Sequence, residues 1–326
     1  MWQVKEIADK FIFQYDEKYQ IITSFQEILL QMTDEKYSEA ISLIQNNMDV
    51  FFKDHESAIF FFYNIVQFAR FNFRNFELIL DVCIHFANEM KKVQTTENEL
   101  IRICDLLFPN SIYYFYKKSF FTIEAIVNQS ISDIFIFIYF LPEIEQYDAE
   151  YAKLREKKLF PDANDKQMTN LESLYKEVKS NPEKHILNRE LNYNPSKLHK
   201  SIRDDDITTF QSILSLNNYS INHRIDFSFY ERVMTHDLTN SLIQIAALYG
   251  SENIFKFLWM KNDIILDHNL LKYAFCGNNL NIIHVCEQKC SLKQVYTEPI
   301  ATQKFDLLDY YIENYGDQIE EYNDDV

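Results

Sequence analysis

Cys276, His284, Cys286 and Cys290, all capable of metal or thiol chemistry, fall within fifteen positions. Zinc sites draw on CxxC or HxxxH spacings, which bring ligands to one ion from a single turn or helix face. Cys286 and Cys290 are one helical turn apart, but His284 is two residues from Cys286 and so on a different face. The spacing favours structural thiols, and no metal or other cofactor is expected. "RDDD" (Arg203–Asp206) carries carboxylates dense enough for a cation. It lies on a turn between helices, where acids cap the next helix N-terminus, and capping is the expected role. In the N-terminal half an enzyme would need convergent ionisable groups, such as a deep pocket holding His85, Glu89 or Asp81. No nucleophile with a local activating pattern accompanies them, so no catalytic residue is assigned and the chain is expected not to be an enzyme.

Recognition chemistry is concentrated elsewhere. The segment "NNYSINHRIDFSFYERVMTHDLTN" (Asn217–Asn240) offers Tyr219, His223, Arg224, Tyr230, Arg232 and His236. Aromatic and Arg side chains of this kind are enriched at protein interfaces, and these six are the candidate partner-binding residues. His236 is read there as a surface residue, not a base. The competing reading is that Phe227, Phe229 and Tyr230 anchor the segment onto the body of the protein.

The elements that must position these groups are poor in glycine. Gly250, Gly277 and Gly316 are the only three in 326 residues. Dinucleotide fingerprints, phosphate loops and nucleophile elbows need glycines this chain lacks, and tight β-hairpins also favour them. The formal charge of −17 disfavours nucleic acid and anionic lipid, both of which are bound through Lys and Arg clusters. "KLREKK" (Lys153–Lys158) reads as the solvated side of a helix. Five scattered cysteines make no disulfide framework, and "MWQVKEIADKFIF" has no signal-peptide pattern. The most apolar run, "IFIFIYFL" (Ile134–Leu141), is far shorter than the ~20 residues of a membrane-spanning helix. These features predict a soluble, cytoplasmic protein without a transmembrane segment.

Helical periodicity recurs along the chain. Phe76, Ile79, Leu80, Cys83, Phe86, Ala87 and Met90 form one apolar face, and Thr96 with Glu99 forms a capping box before Leu100. Further segments are expected at Tyr19–Met32, Ser57–Phe73, Ser111–Asn128 and Met168–Lys179, with "IFIFIYFL" as a buried helix. Two Asn-Pro pairs in "SNPEKHILNRELNYNPS" disfavour helix continuation. The predicted organisation is a helical domain over residues 1–180, a linker over 181–196, repeats over 197–316 and an acidic tail over 317–326.

The repeats show in four windows: Lys197–Leu214, Leu242–Trp259, Leu270–Glu287 and Glu298–Ile312. The second, "LIQIAALYGSENIFKFLW", carries Ala246-Ala247, Gly250, Ile254-Phe255 and Leu258-Trp259. The first aligns Leu198-His199, Ser201-Ile202 and Ile213-Leu214 around Asp205, and the third aligns Ala274-Phe275 and Ile282-Ile283 around Asn278. The fourth keeps Leu307-Leu308 and Tyr311-Ile312. This pattern resembles the ankyrin repeat. Details such as "SIRDDD", "SFYERV" and "GNNLNIIHVCEQ" are similar to a large protist set, as in Trichomonas, in which a helical domain of unassigned function precedes irregular ankyrin repeats. The turn positions are 45 and then 28 residues apart, against about 33 in a regular array, and the long interval holds the Asn217–Asn240 insertion. Apolar pairs and closely packed alanines bury against adjoining repeats, while the turn position needs a residue tolerant of positive φ.

The resemblance implies an all-α protein in which an N-terminal helical domain is followed by an irregular ankyrin-like α-solenoid of about four helix pairs. It implies a structural, loop-bonding role for His199 and protein–protein interaction as the general activity. The net charge favours a partner with a basic surface. The alternatives are an enzyme hidden in the helical half, or a dimerising or peripheral-membrane scaffold.

Overall fold

A computed structural model describes residues 16–71, 75–92, 95–105, 109–160, 166–226, 228–231, 239–261, 263–266, 269–289, 310 and 313. The protein is mostly helical, and it divides between Asn192 and Tyr193 into two compact units.

The N-terminal unit contains α1 (Asp16–Leu30), α2 (Asp34–Asn46), α3 (Met48–Phe51), α4 (His55–Phe71), α5 (Phe76–Lys92), α6 (Glu97–Asp105) and α7 (Pro109–Lys117). It continues with α8 (Ile123–Ser130), α9 (Ile134–Tyr139), α10 (Leu141–Tyr147), α11 (Ala149–Leu159), α12 (Lys166–Ser180) and α13 (Pro182–Leu191). All seven apolar residues assigned to one face of α5 are buried. Glu99 Oε2 accepts from the Thr96 amide at 2.8 Å, and Thr96 Oγ1 accepts from the Glu99 amide at 3.3 Å, which completes the capping box. From α4 to α10 the helices pack on their next neighbours but one. The contacts run α4–α6–α8–α10 on one side and α5–α7–α9 on the other. "IFIFIYFL" forms α9 and the start of α10, with Ile136 through Leu141 buried.

Two expectations are corrected in this unit. Ser111–Asn128 is not one helix. Ser119 takes a left-handed φ of 57° after α7, and the Thr122 side chain caps α8 by accepting from the Ala125 amide. Residues 181–196 are not a linker over most of their length, because 182–191 are α13. The Asn181-Pro182 pair is a start signal: Asn181 Oδ1 accepts from the Lys184 amide, and Pro182 takes the first helical position, where its missing N–H costs nothing. α13 is locked by Arg189, fully buried, whose guanidinium forks onto Glu143 at 3.0 and 2.6 Å and donates to the Tyr139 carbonyl at 2.8 Å. The same guanidinium lies 4.3 Å over the Tyr113 ring.

The C-terminal unit contains α14 (Lys197–Arg203), α15 (Ile207–Leu216), β1 (Arg224–Asp226), β2 (Thr239–Ser241), α16 (Leu242–Tyr249), α17 (Glu252–Trp259), α18 (Leu270–Gly277) and α19 (Leu280–Glu287). These helices make three pairs. The first members α14, α16 and α18 pack in sequence on one another, and so do the second members α15, α17 and α19. β1 and β2 form an antiparallel ribbon, Arg224 opposite Ser241 and Asp226 opposite Thr239, and are the only strands among the described residues. The fourth window's Leu307 and Leu308 lie outside the described residues.

Each pair turns at a residue in the left-handed region: Asp205 (φ 52°), Gly250 (φ 65°) and Asn278 (φ 55°). At Gly250 the next amide, Ser251, bonds back to Ala246 and the Gly250 amide to Ala247, so two carbonyls of the last turn of α16 are satisfied. Asp206 and Asp205 repeat that geometry on Ser201 and Ile202. Gly277 has a different task. A Cβ there would lie 1.9 Å from the Ala247 carbonyl oxygen, so α16 and α18 meet main chain to main chain.

Candidate functional site

The Asp205 carboxylate, expected as a cap for its own following helix, serves the next pair instead. Its oxygens accept from the amides of Asn253 and Ile254 at 3.1 and 3.0 Å, at the start of α17. Asp206 is the residue that caps α15, accepting from the Thr209 amide at 3.0 Å. The Ser251 hydroxyl donates to the Ile202 carbonyl, and Asn279 Nδ2 donates to the Gly250 carbonyl at 3.1 Å. Leu198, His199, Ala246, Ala247, Ile254, Leu258, Ala274, Ile282 and Ile283, assigned as structural repeat positions, are all buried.

The insertion is drawn into this unit at its far end. Tyr230 is only 8% exposed and packs edge-on to Phe229, so it serves as an anchor and is not available as a surface contact. Glu231, which is not among the candidate residues, is buried beside it. It accepts from the Tyr249 hydroxyl at 2.7 Å and from the Asn194 amide at 3.1 Å, and its Oε2 lies 3.3 Å from His199 Nε2. Burial, and then the Arg203 guanidinium, lowers the His199 pKa to about 3. Nδ1 of this ring has no hydrogen-bond partner among the described residues. The signal available in the sequence was an acid inside the aromatic run "SFYERV".

The near end of the insertion is open. Tyr219, His223 and Arg224 line a cleft of about 540 Å³, together with Asn194, Lys197 and the rest of β1. The rings of Tyr219 and His223 stack with centroids 4.2 Å apart and planes 10° from parallel. Arg224 is exposed yet oriented, donating from Nε to Thr239 Oγ1 at 3.1 Å and from the terminal nitrogen to the Thr239 carbonyl at 2.6 Å. Lys197 is exposed, and neither cation has a carboxylate within 4.0 Å among the described residues. The structure therefore brings three of the six candidate partner residues together and removes Tyr230. Arg232 and His236 lie outside the described residues.

Of the ionisable groups singled out in the N-terminal half, His85 has a buried Nε2 with no hydrogen-bond partner among the described residues, while Asp81 and Glu89 have partners. Asp81 accepts from the Tyr114 hydroxyl at 2.9 Å and pairs with Lys118, and Glu89 pairs with Lys92. Cys286 is buried, and His284 faces Glu287 and the Tyr310 hydroxyl; Cys290 lies outside the described residues. Among the described residues no cluster of three His, Cys, Asp or Glu is placed to hold a metal ion, and no helix is long and apolar enough to cross a membrane.

No family model, curated protein or solved structure matches the chain.

Proposed function

We propose that the protein is a non-enzymatic interaction module of the ankyrin type, an α-solenoid that presents its stacked pairs and their insertion to a protein partner. The observation that supports this reading is the repeated turn. Three residues placed by repeat spacing at equivalent positions, Asp205, Gly250 and Asn278, share one backbone conformation, and the first two bond directly to the following pair. A unit of this type cannot bury its apolar face alone, so stacking supplies the core and leaves insertions exposed for recognition.

The test is affinity capture from the native cell with the full chain and with a Tyr219→Ala, Arg224→Ala variant of unchanged helical content. A partner held by the parent and lost by the variant supports the reading. Turnover of a small-molecule substrate by the purified chain, or no partner at all with the parent, overturns it.

A further inference from the structure

We propose that the cleft beside β1 takes an extended peptide as a third strand and selects for acidic side chains on it. This rests on the module reading above and specifies what one part of the module binds. β1 pairs with β2 alone among the described residues. All three residues of β1 line the cleft and none of β2 does, so the cleft lies along the edge of β1 that β2 leaves unpaired. An unpaired edge is a row of main-chain donors and acceptors matched to another strand.

One bond places a main-chain group of β1 at the cleft. Asn194 Nδ2 reaches the Asp226 carbonyl at 3.4 Å, and Asn194 is itself a cleft residue. A side-chain amide thus stands where an incoming strand's N–H would donate. The two-residue period of a strand turns the Arg224 amide and carbonyl to the same edge.

The charge at this edge sets the partner chemistry. Among the described residues Lys197 and Arg224 flank the cleft without a carboxylate within 4.0 Å, and Asp226 is the acid in its lining. Arg224 is held in place by Thr239, so little freedom is lost when it meets a carboxylate. The whole-chain charge of −17, which favours a basic partner at long range, acts over distances that salt screens beyond about 8 Å at physiological ionic strength. Inside the cleft the two local cations decide.

The test uses fluorescence polarisation with the full chain and a labelled hexapeptide of alternating Val and Glu. Comparison probes are the Val/Lys hexapeptide and two Val/Glu peptides N-methylated at odd or at even amides. The Val/Glu peptide is expected to bind, the Val/Lys peptide to bind at least about tenfold more weakly, and one methylated series to lose binding while the other keeps it. Arg224→Glu and, separately, Lys197→Glu are each expected to weaken binding about tenfold, and Lys176→Glu in α12 to leave it unchanged. Equal binding of the Glu and Lys peptides, both methylated series matching their parent, or no binding of the Val/Glu peptide overturns the proposal. If Arg224→Glu and the parent chain capture the same cellular partner while no peptide binds, the strand-addition proposal falls and the module reading stands.

Discussion

A methyl group at Gly277 would meet the Ala247 carbonyl oxygen at 1.9 Å and that of Leu248 at 3.0 Å, with backbone on both sides and no flexible chain end to yield. Gly277→Ala is expected to cost about 2–3 kcal/mol, read as a lowered midpoint in urea melts with unchanged helical content before the transition. Gly250→Asn should be milder, near 1 kcal/mol, because Asn tolerates the left-handed φ that Asp205 and Asn278 already adopt. The sequence pointed to Gly250 through its repeat position. Gly277 carried no such signal, since a close approach of two backbones is set by pieces of chain that need not be neighbours in sequence. The buried histidines give a pH dependence. His185, lowered to about 4 by burial and then by Arg189, and His199, lowered to about 3, both bind protons more weakly folded than unfolded. Their contribution is complete above pH ~6.5, declines as pH falls, and is exhausted near pH 4 for His185 and pH 3 for His199. Urea melts at pH 7, 6 and 5 should show stability falling by up to about 1.4 kcal/mol per pH unit for each ring, and His199→Gln should flatten that slope.

At the scale of elements, the helix-to-helix caps carry the testable weight. Asp205→Ala removes the acceptor for two α17 amides and places Ala at a positive φ, with an expected loss of about 2 kcal/mol in thermal or urea melts. Asp205→Gly relieves the backbone but not the cap, and Asp205→Asn keeps an acceptor, so the order of stability should be Asp, Asn, Gly, Ala. Equal losses for Gly and Ala would show that the cap alone matters. The apolar face of α5 and the Thr96 box were legible because periodicity and capping are local. α13 was misread because an Asn-Pro pair stops one helix and starts the next with the same residues. The cleft was partly legible: Tyr219, His223 and Arg224 were in view, while Lys197 and Asn194 join them only through folding. Tyr230 looked the same in sequence as an exposed tyrosine, and only its burial in the fold separates the two.

For the whole molecule, the scarcity of glycine made a helical chain readable before any packing was known. Composition left hidden that α4 to α10 of the N-terminal unit also pack on their next neighbours but one, since that regularity lies in spacing between helices and not in a shared motif. The excess of 17 negative charges works against compaction by mutual repulsion. Raising NaCl from about 20 to about 300 mM should therefore raise the melting temperature by a few degrees, as added salt shortens the reach of the repulsion. A melting temperature that falls with salt would mean that the ion pairs outweigh it.

The turns of the C-terminal unit overlap in one direction, like roof tiles. The first pair lends its carboxylate to the second, and the second and third cover the exposed carbonyls of the pair before them. Under a pulling force such an array should shed its last tile first and peel backwards. Removing the first tile instead would strip the cap from the one above it, so the two ends are not mechanically equivalent.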